Sequence, residues 1–255
     1  MMFNFCQRVL FFSLFLSFSL NSQAATVLVA VASNFTKPMN EIAEAFKKAT
    51  GHEANLSFGS SGKFVAQIEN DAPFEVLLSA DDKNPKKLEE SGKGIANTRF
   101  TYAIGKLVLW SAKAGLVDDQ GQILSKGGFK HVALADPKLA PYGLAAEEAL
   151  KNLGLLDKLH TLFVLGENIS QTQQFISSGN AELGFIALSQ VIDKEGSISE
   201  GSGWIVPDNL HTPIRQDAIL LKKGEPNPAA PALLEFLKSP EALAIIKKYG
   251  YNLAE

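Results

Sequence analysis

Apolar and polar residues alternate along the chain in two patterns from Thr26 onward. Short apolar runs predict buried strands, and they are separated by segments in which apolar residues recur every three or four positions, as on one face of a helix. Strands that alternate with helices in this way predict a parallel sheet. The first series has predicted strands at 27–32, 54–58 and 74–79 and predicted helices at 38–49, 63–69 and 85–90.

Two further apolar segments, 100–111 and 217–222, interrupt this alternation and predict strands that cross between two parts of the protein. A second series of strands and helices lies between them, which indicates a second α/β lobe. A single large doubly wound sheet is the alternative architecture. The second series has predicted strands at 131–135, 161–165 and 184–188 and helices at 143–153 and 171–177, and two helices at 228–237 and 240–249 follow the second crossing strand.

We therefore predict an α/β protein of two lobes joined by two crossing strands, with a first lobe that is discontinuous in sequence. Residues 25–105 and 216–255 are predicted to form lobe I, and residues 106–215 are predicted to form lobe II. In open α/β sheets, ligands bind beyond the carboxyl ends of the strands. A ligand is thus expected in the cleft between the lobes.

Residues 1–24 have the organisation of a secretory signal peptide. A positive charge at Arg8 precedes an apolar run at 9–20, and small residues at 22 and 24 form a cleavage site. The run is shorter than the roughly 18 to 20 residues that span a bilayer, which argues against a membrane anchor. Cleavage after Ala24 would remove the only cysteine, Cys6, so the mature protein would have no disulfide and no thiolate metal site.

The charge of the chain argues against a nucleic-acid partner. The formal net charge is −3, the pI is about 5.9, and no segment is rich in lysine or arginine. A nucleic-acid-binding domain normally carries a basic patch. Beyond the signal peptide the only arginines are Arg99 and Arg215, so a cluster of arginines is not available to bind an anion.

The segment FGSSGKF, residues 58–64, is similar to a phosphate-binding P-loop but does not match it. A P-loop has a glycine five residues before the Gly-Lys pair and a serine or threonine directly after the lysine. Ser57 and Phe64 occupy those positions here, which argues against an NTPase. The remaining interpretations are an anion-binding helix start and a tight turn with a serine N-cap.

Four predicted loops at strand ends carry neutral hydrogen-bond donors just before a helix. Each one alone is explained by ordinary helix capping. Four helix N-termini that converge on one cleft would nevertheless attract an anion without a buried cation. A fully deprotonated dianion fits such loops better than phosphate, which is partly protonated at neutral pH and profits from an acceptor. The loops contain Ser33-Asn34, Ser60-Ser61, Tyr142-Gly143 and residues 168–170.

Five longer motifs extend this picture to the rest of the chain: VAVASNFTKPMNEIAEAFKKATG, LSFGSSGKF, ADPKLAPYG, GENISQTQQFISSGNAELGFIALSQV and PALLEFLKSPEALAIIKKYGY. Together they resemble periplasmic molybdate-binding proteins of ABC transporters over essentially the whole mature chain. The resemblance implies a type II periplasmic binding protein that holds molybdate or tungstate in its cleft as the oxyanion. It also implies a periplasmic monomer that serves a membrane permease, with no cofactor, no free metal cation and no catalytic residue.

The resemblance further implies a set of ligands through the matching motifs. Many family members use a tyrosine hydroxyl from the loop after the last strand of lobe II, where this chain has only apolar residues at 185–188. A subset of the family carries the tyrosine in the PYG loop instead, and Tyr142 would take that role here. The implied ligands are Ser33 and Asn34 from the first loop, Ser61 from GSSG, Tyr142, and the backbone N–H of Ile169.

Other ligands and functions remain open at the level of the residues. Sulfate is also an acceptor-only dianion, and thiosulfate, phosphate and small organic solutes are further alternatives. An amino-acid-binding protein needs an arginine for the carboxylate, but Arg99 and Arg215 lie beside the crossing strands. A secreted hydrolase needs a base near its serine, and the four histidines lie away from the donor loops. We predict a binding protein, not an enzyme, in which Lys63 faces solvent while Ser61 binds the anion.

Overall fold

The computed structural model describes residues 24–193 and 196–254. The predicted signal peptide lies outside these described residues except for Ala24. Within the described ranges, no helix is both long enough and apolar enough to cross a membrane.

The described chain alternates strands with helices, as the sequence pattern predicts. The strands are β1 (Thr26–Ala32), β2 (Glu53–Gly59), β3 (Val76–Leu78), β4 (Phe100–Gly105), β5 (Leu107–Ser111), β6 (Val132–Ala135), β7 (Phe163–Gly166), β8 (Leu183–Ala187), β9 (Ser202–Ile205) and β10 (Ile214–Leu220). The α-helices are α1 (Thr36–Thr50), α2 (Ser61–Glu69), α3 (Lys83–Glu90), α4 (Ile123–Lys126), α5 (Pro141–Asn152), α6 (Leu156–Leu159), α7 (Ile169–Ser177), α8 (Ala229–Phe236) and α9 (Pro240–Lys248). Short 3-10 helices lie at Ser33–Phe35, His160–Leu162, Leu188–Gln190, Asp208–Leu210 and Lys222–Gly224.

Lobe I is built on a sheet of strand order β2-β1-β3-β10-β4. Strand β1 runs parallel to β2 and β3, while β10 is antiparallel to β3 and β4. Successive side chains of a strand point to opposite faces, and β1 uses both. Val29 packs in the cluster that contains Phe46 of α1, whereas Ala30 packs in the cluster that contains Phe64 of α2. Burial on both faces explains why β1 is a continuous apolar run.

Lobe II is built on a second sheet of order β7-β6-β8-β5-β9. Strand β6 is parallel to β7 and β8, and β5 is antiparallel to β8 and β9. One apolar cluster holds this lobe together, and it includes the fully buried Leu109, Leu134 and Phe185 from three neighbouring strands. In both sheets, the carboxyl ends of the parallel strands lead into helix starts, which is where ligands bind in open α/β sheets.

The predicted two-lobed fold with crossing strands is confirmed, with one difference at the first crossing. The apolar segment 100–111 forms two strands separated by Lys106. The first, β4, pairs with β10, whereas the second, β5, pairs with β8 and β9 in the other sheet. Both halves are mostly buried, so the apolar pattern does not show the exchange. The second crossing strand, β10, begins at Ile214, three residues before the predicted strand. Strand β9 was not predicted, since its first two residues are serine and glycine and only Trp204 and Ile205 are apolar.

Five helices, α1, α2, α3, α5 and α7, begin two residues earlier than the apolar pattern predicts, and three of them carry predicted ligand residues. These three are α2, α5 and α7, which start at Ser61, Pro141 and Ile169. Proline at the first helical position fits α5, because its missing N–H is one that a helix start leaves unpaired. The earlier starts place the predicted ligand residues in the first turns of these helices, with their backbone N–H groups among those that lack an intrahelical partner.

Candidate functional site

A small cavity lies between the lobes, where the carboxyl ends of β1 and β2 face the starts of α5 and α7. It encloses about 200 Å³ of space between atoms, including its opening. All five residues predicted as ligands line it. The full lining is Ala32, Ser33, Asn34, Gly59, Ser60, Ser61, Ala80, Ala140, Pro141, Tyr142, Asn168 and Ile169.

Helix starts surround the cavity and supply backbone donors. A 3-10 helix begins at Ser33, and α2, α5 and α7 begin at or just before the other predicted ligands. In the described part of the chain, the backbone N–H groups of Ser61, Tyr142 and Ile169 make no hydrogen bond. The partial positive charge of three α-helix ends is thus directed at one small volume.

Ser60 and Ser61 place two hydroxyls at the cavity, and their bonding differs. Ser61 Oγ accepts the backbone N–H of Ala80 at 2.9 Å, which leaves its own hydrogen to donate. Ser60 is 3 % exposed, and its Oγ has no hydrogen-bond partner among the described residues. An unpaired buried hydroxyl costs about 1–3 kcal/mol, so Ser60 is a donor available to an acceptor in the cavity.

Sequence analysis places Ser60 in a donor loop but does not include it among the implied ligands, although a further signal for it exists. The residue is the other serine of the GSSG motif and is the N-cap of α2. A serine in this position normally accepts an N–H of the first turn, but Ser60 makes no such bond. Its hydroxyl is therefore not used in capping the helix.

Asn34 lines the cavity, but its side-chain amide already donates hydrogen bonds to other residues. Its Nδ2 donates to Gln216 Oε1 at 2.8 Å and to the Tyr251 hydroxyl at 2.9 Å. The Tyr251 hydroxyl lies 2.8 Å from the Asn34 carbonyl and donates to it. Both amide hydrogens of Asn34 are thus occupied, and its backbone N–H is the donor that remains for a ligand.

Tyr142 extends from the first turn of α5 to the crossing strand β10, where Gln216 Nε2 donates to its hydroxyl at 3.1 Å. The side chain is buried. Burial, and then the neighbouring Tyr251, raise the pKa of Tyr142 well above its ordinary value. The phenol therefore stays neutral and keeps its hydrogen throughout the physiological range.

Asn168 arranges the donors on the lobe II side. Its Oδ1 accepts the N–H groups of Ser170 at 3.0 Å and Gln171 at 3.1 Å, as an N-cap does. This capping bypasses Ile169, whose N–H remains unpaired. The same oxygen accepts Ser33 Oγ at 3.3 Å across the lobes, so the Ser33 hydroxyl acts as a donor in the space between them.

The residues that line the cavity carry no formal charge. Lys63 does not simply face solvent as predicted, because its Nζ pairs with Glu167 Oε1 of lobe II at 2.5 Å, with both side chains about half-exposed. Arg99 pairs with Asp217 at 2.6 Å, and Arg215 donates to Thr101 at 3.2 Å. Neither arginine lines the cavity, so an amino-acid ligand would find no carboxylate clamp there.

The model of the bacterial extracellular solute-binding protein family matches residues 27–252. The chain belongs to this family. Within it, the chain is 57 % identical to the molybdate-binding protein ModA of Azotobacter vinelandii over 232 residues, 91 % of this chain and 92 % of the relative. It is 52 % identical to the molybdate-binding protein ModA of Rhodobacter capsulatus over 239 residues, 94 % of this chain and 93 % of the relative.

A solved structure of a protein with a similar name also has a similar fold. The periplasmic molybdate-binding protein of Azotobacter vinelandii superposes with a TM-score of 0.87 at 45 % identity, covering 90 % of this chain and 100 % of that chain. The resemblance found in the sequence and the predicted fold of this solute-binding protein are thereby confirmed.

Proposed function

We propose that this solute-binding protein binds molybdate, and also tungstate, as a dianion in the cavity between its lobes. Relatives that carry the name molybdate-binding protein cover nearly the whole chain. The observation that supports the proposal for this chain is the convergence of neutral donors on a cavity without charged side chains. The buried Ser60 hydroxyl, which lacks any partner among the described residues, is the clearest of these donors.

The proposed contacts combine hydroxyls with backbone N–H groups. Ser33, Ser60 and Ser61 would donate through Oγ, with the Ser33 hydrogen turning from Asn168 Oδ1 to the anion. Asn34 and Ile169 would donate through the backbone, and Tyr142 through its backbone N–H and its hydroxyl. Each hydrogen bond to a charged group contributes about 1.5–3 kcal/mol. About seven of them would still give submicromolar affinity after the losses of motional freedom on binding are subtracted.

The lack of acceptors distinguishes the proposed ligand from phosphate. A dianion with four unprotonated oxygens can accept at each of them, and no carboxylate among the lining residues repels it. Phosphate is partly protonated near neutral pH, and its hydrogen would face donors only. Affinity for phosphate is therefore expected to be low.

A larger depression on the described surface of lobe II fits an anion less well. This groove is bordered by Glu147, Glu148 and Asp157, with Lys151 as the basic residue. Carboxylates of this kind repel an anion. Size alone therefore does not identify the site.

Closure of the lobes would connect binding to transport. We propose lobe I as residues 25–105 and 216–255 and lobe II as 106–215, with the hinge at the crossing strands. The lobes already touch: Gly62 N donates to Leu139 O at 3.0 Å, and Lys37 Nζ donates to Gln190 O at 2.7 Å. A permease of an ABC transporter would recognise this closed, loaded form. The proposed setting is the periplasm, with the protein acting as a monomer and catalysing no reaction.

Calorimetry on the mature chain, without residues 1–24, tests the proposal. Titrations with molybdate, tungstate, sulfate and phosphate should give submicromolar dissociation constants for the first two and at least about 100-fold weaker binding for the others. Equal affinity for sulfate, or no heat from molybdate, would contradict the proposed ligand.

A further inference from the structure

A buried amide on a crossing strand connects the cavity walls of both lobes. Gln216 of β10 is 0 % exposed. Its Nε2 donates to the Tyr142 hydroxyl at 3.1 Å, while its Oε1 accepts Asn34 Nδ2 at 2.8 Å and the Tyr102 hydroxyl at 3.1 Å. Gln216 does not itself line the cavity, yet two of its partners do.

We propose that Gln216 is a positioning residue that directs the Tyr142 hydroxyl as a donor toward the bound anion. The inference rests on the proposed function, since it concerns the same cavity. A phenol has one hydrogen and can also accept. Because Gln216 Nε2 donates to the phenol oxygen, the hydrogen of Tyr142 is directed away from Gln216. Within the protein the neighbouring Tyr251 hydroxyl is its acceptor, and the bound anion would replace Tyr251 in that role. Asn34 and Tyr102 fix the amide in the orientation that makes this possible.

The backbone around Gln216 accommodates this contact in two ways. The register of β4 and β10 shifts between Gln216 and Asp217, so that Gln216 lies opposite Ala103 and Asp217 opposite Thr101. Tyr102 is the extra residue of this bulge, and bulges reorient side chains near functional sites. Its hydroxyl lies 3.0 Å from the carbonyl oxygen of Ser79 and 3.1 Å from Gln216 Oε1, and these two acceptors share its one hydrogen.

Gly105, the last residue of β4, also leaves room for the contact between Gln216 and Tyr142. A Cβ at this position would overlap the Tyr142 hydroxyl and would lie 2.6 Å from Gln216 Nε2. Any larger residue would therefore displace the Gln216–Tyr142 pair without removing a polar group from it.

A double-mutant cycle on the mature protein tests the proposal, with molybdate affinity measured by calorimetry. Gln216→Met keeps the length of the side chain but removes the donor, and it should weaken binding about tenfold or more. In the Tyr142→Phe background the same substitution should weaken binding less than about threefold, because the hydroxyl that it directs is absent. Arg215→Met changes the adjacent residue, which also bonds β4, and should leave affinity within about twofold.

Equal losses in both backgrounds, or unchanged affinity in Gln216→Met, would overturn the proposal. If Gln216→Met does not fold, Gly105→Ala decides: it should weaken binding at least about fivefold with Tyr142 present and clearly less in Tyr142→Phe. The wild-type titration separates the two hypotheses. Failure of wild type to bind molybdate refutes the proposed function, whereas normal wild-type binding with unaffected variants refutes only the role of Gln216.

Discussion

The lobes meet in two regions, an interior one behind the cavity and an outer one at its edge. In the interior, Ser189 Oγ of lobe II donates to Asn34 O at 2.8 Å, and the Tyr251 hydroxyl lies 2.9 Å from Ser189 Oγ. These three side chains are almost fully buried. At the edge, the Lys63–Glu167 pair is about half-exposed.

This difference in burial predicts that the two regions contribute unequally to ligand binding. Buried hydrogen bonds are strong and directional, and leaving one partner unpaired is expensive. Exposed ion pairs contribute only about 0–1 kcal/mol and are screened by salt. The interior region should therefore set the geometry and affinity of the site, while the edge should contribute little to either.

Ser61→Ala, at a buried residue of the cavity wall, should have the largest effect. It removes a hydroxyl donor from the cavity and leaves the Ala80 N–H without its acceptor. We expect about 10- to 100-fold weaker molybdate binding, and a free energy of unfolding lower by about 1–3 kcal/mol. Calorimetry and chemical denaturation measure the two effects. Ser178→Ala, at an exposed serine after α7, is the matched control, and equal binding by both variants would remove Ser61 from the site.

Substitutions at the edge should have small and equal effects. Lys63→Met and Glu167→Gln each break the same exposed pair, so each should weaken molybdate binding less than about fivefold. The comparison is sharper than either variant alone. If Lys63 bound the anion directly, Lys63→Met would lose far more affinity than Glu167→Gln, and the neutral-donor account would be wrong.

The smallest expected effect is that of pH on binding. Tyr142 is the one titratable residue among those lining the cavity, and burial raises its pKa well above the ordinary value near 10. Molybdate affinity should therefore be constant between about pH 6 and 9. A tenfold change in calorimetric affinity within that window would reveal an ionising group in the site.

The same shift has a consequence for stability at high pH. The pKa values of Tyr102, Tyr142 and Tyr251 are all raised in the folded protein, first of all by burial. Above about pH 10 these groups ionise in the unfolded chain first, so the free energy of unfolding should fall as the pH rises further.

The sequence predicted the interior region only in part. Periodicity predicted both lobes, and the matching motifs predicted the five cavity residues, because strands and helix starts are local patterns. Gln216 has no local signal, since it lies in the strand sequence IRQDAIL, and its partners Tyr142 and Asn34 are 74 and 182 positions away. The hydrogen bonds of the Asn34 side-chain amide could not be predicted from the sequence for the same reason. Contacts between distant segments arise from tertiary packing, which periodicity does not encode.

A crystal structure of the mature protein with molybdate bound would show which atoms hold the anion. We expect oxygen atoms of the anion within hydrogen-bond distance of the Ser33, Ser60 and Ser61 hydroxyls and of the Ile169 backbone N–H, with no lysine, arginine or carboxylate in contact. A molybdate held by Lys63, or one bound outside this cavity, would contradict this prediction.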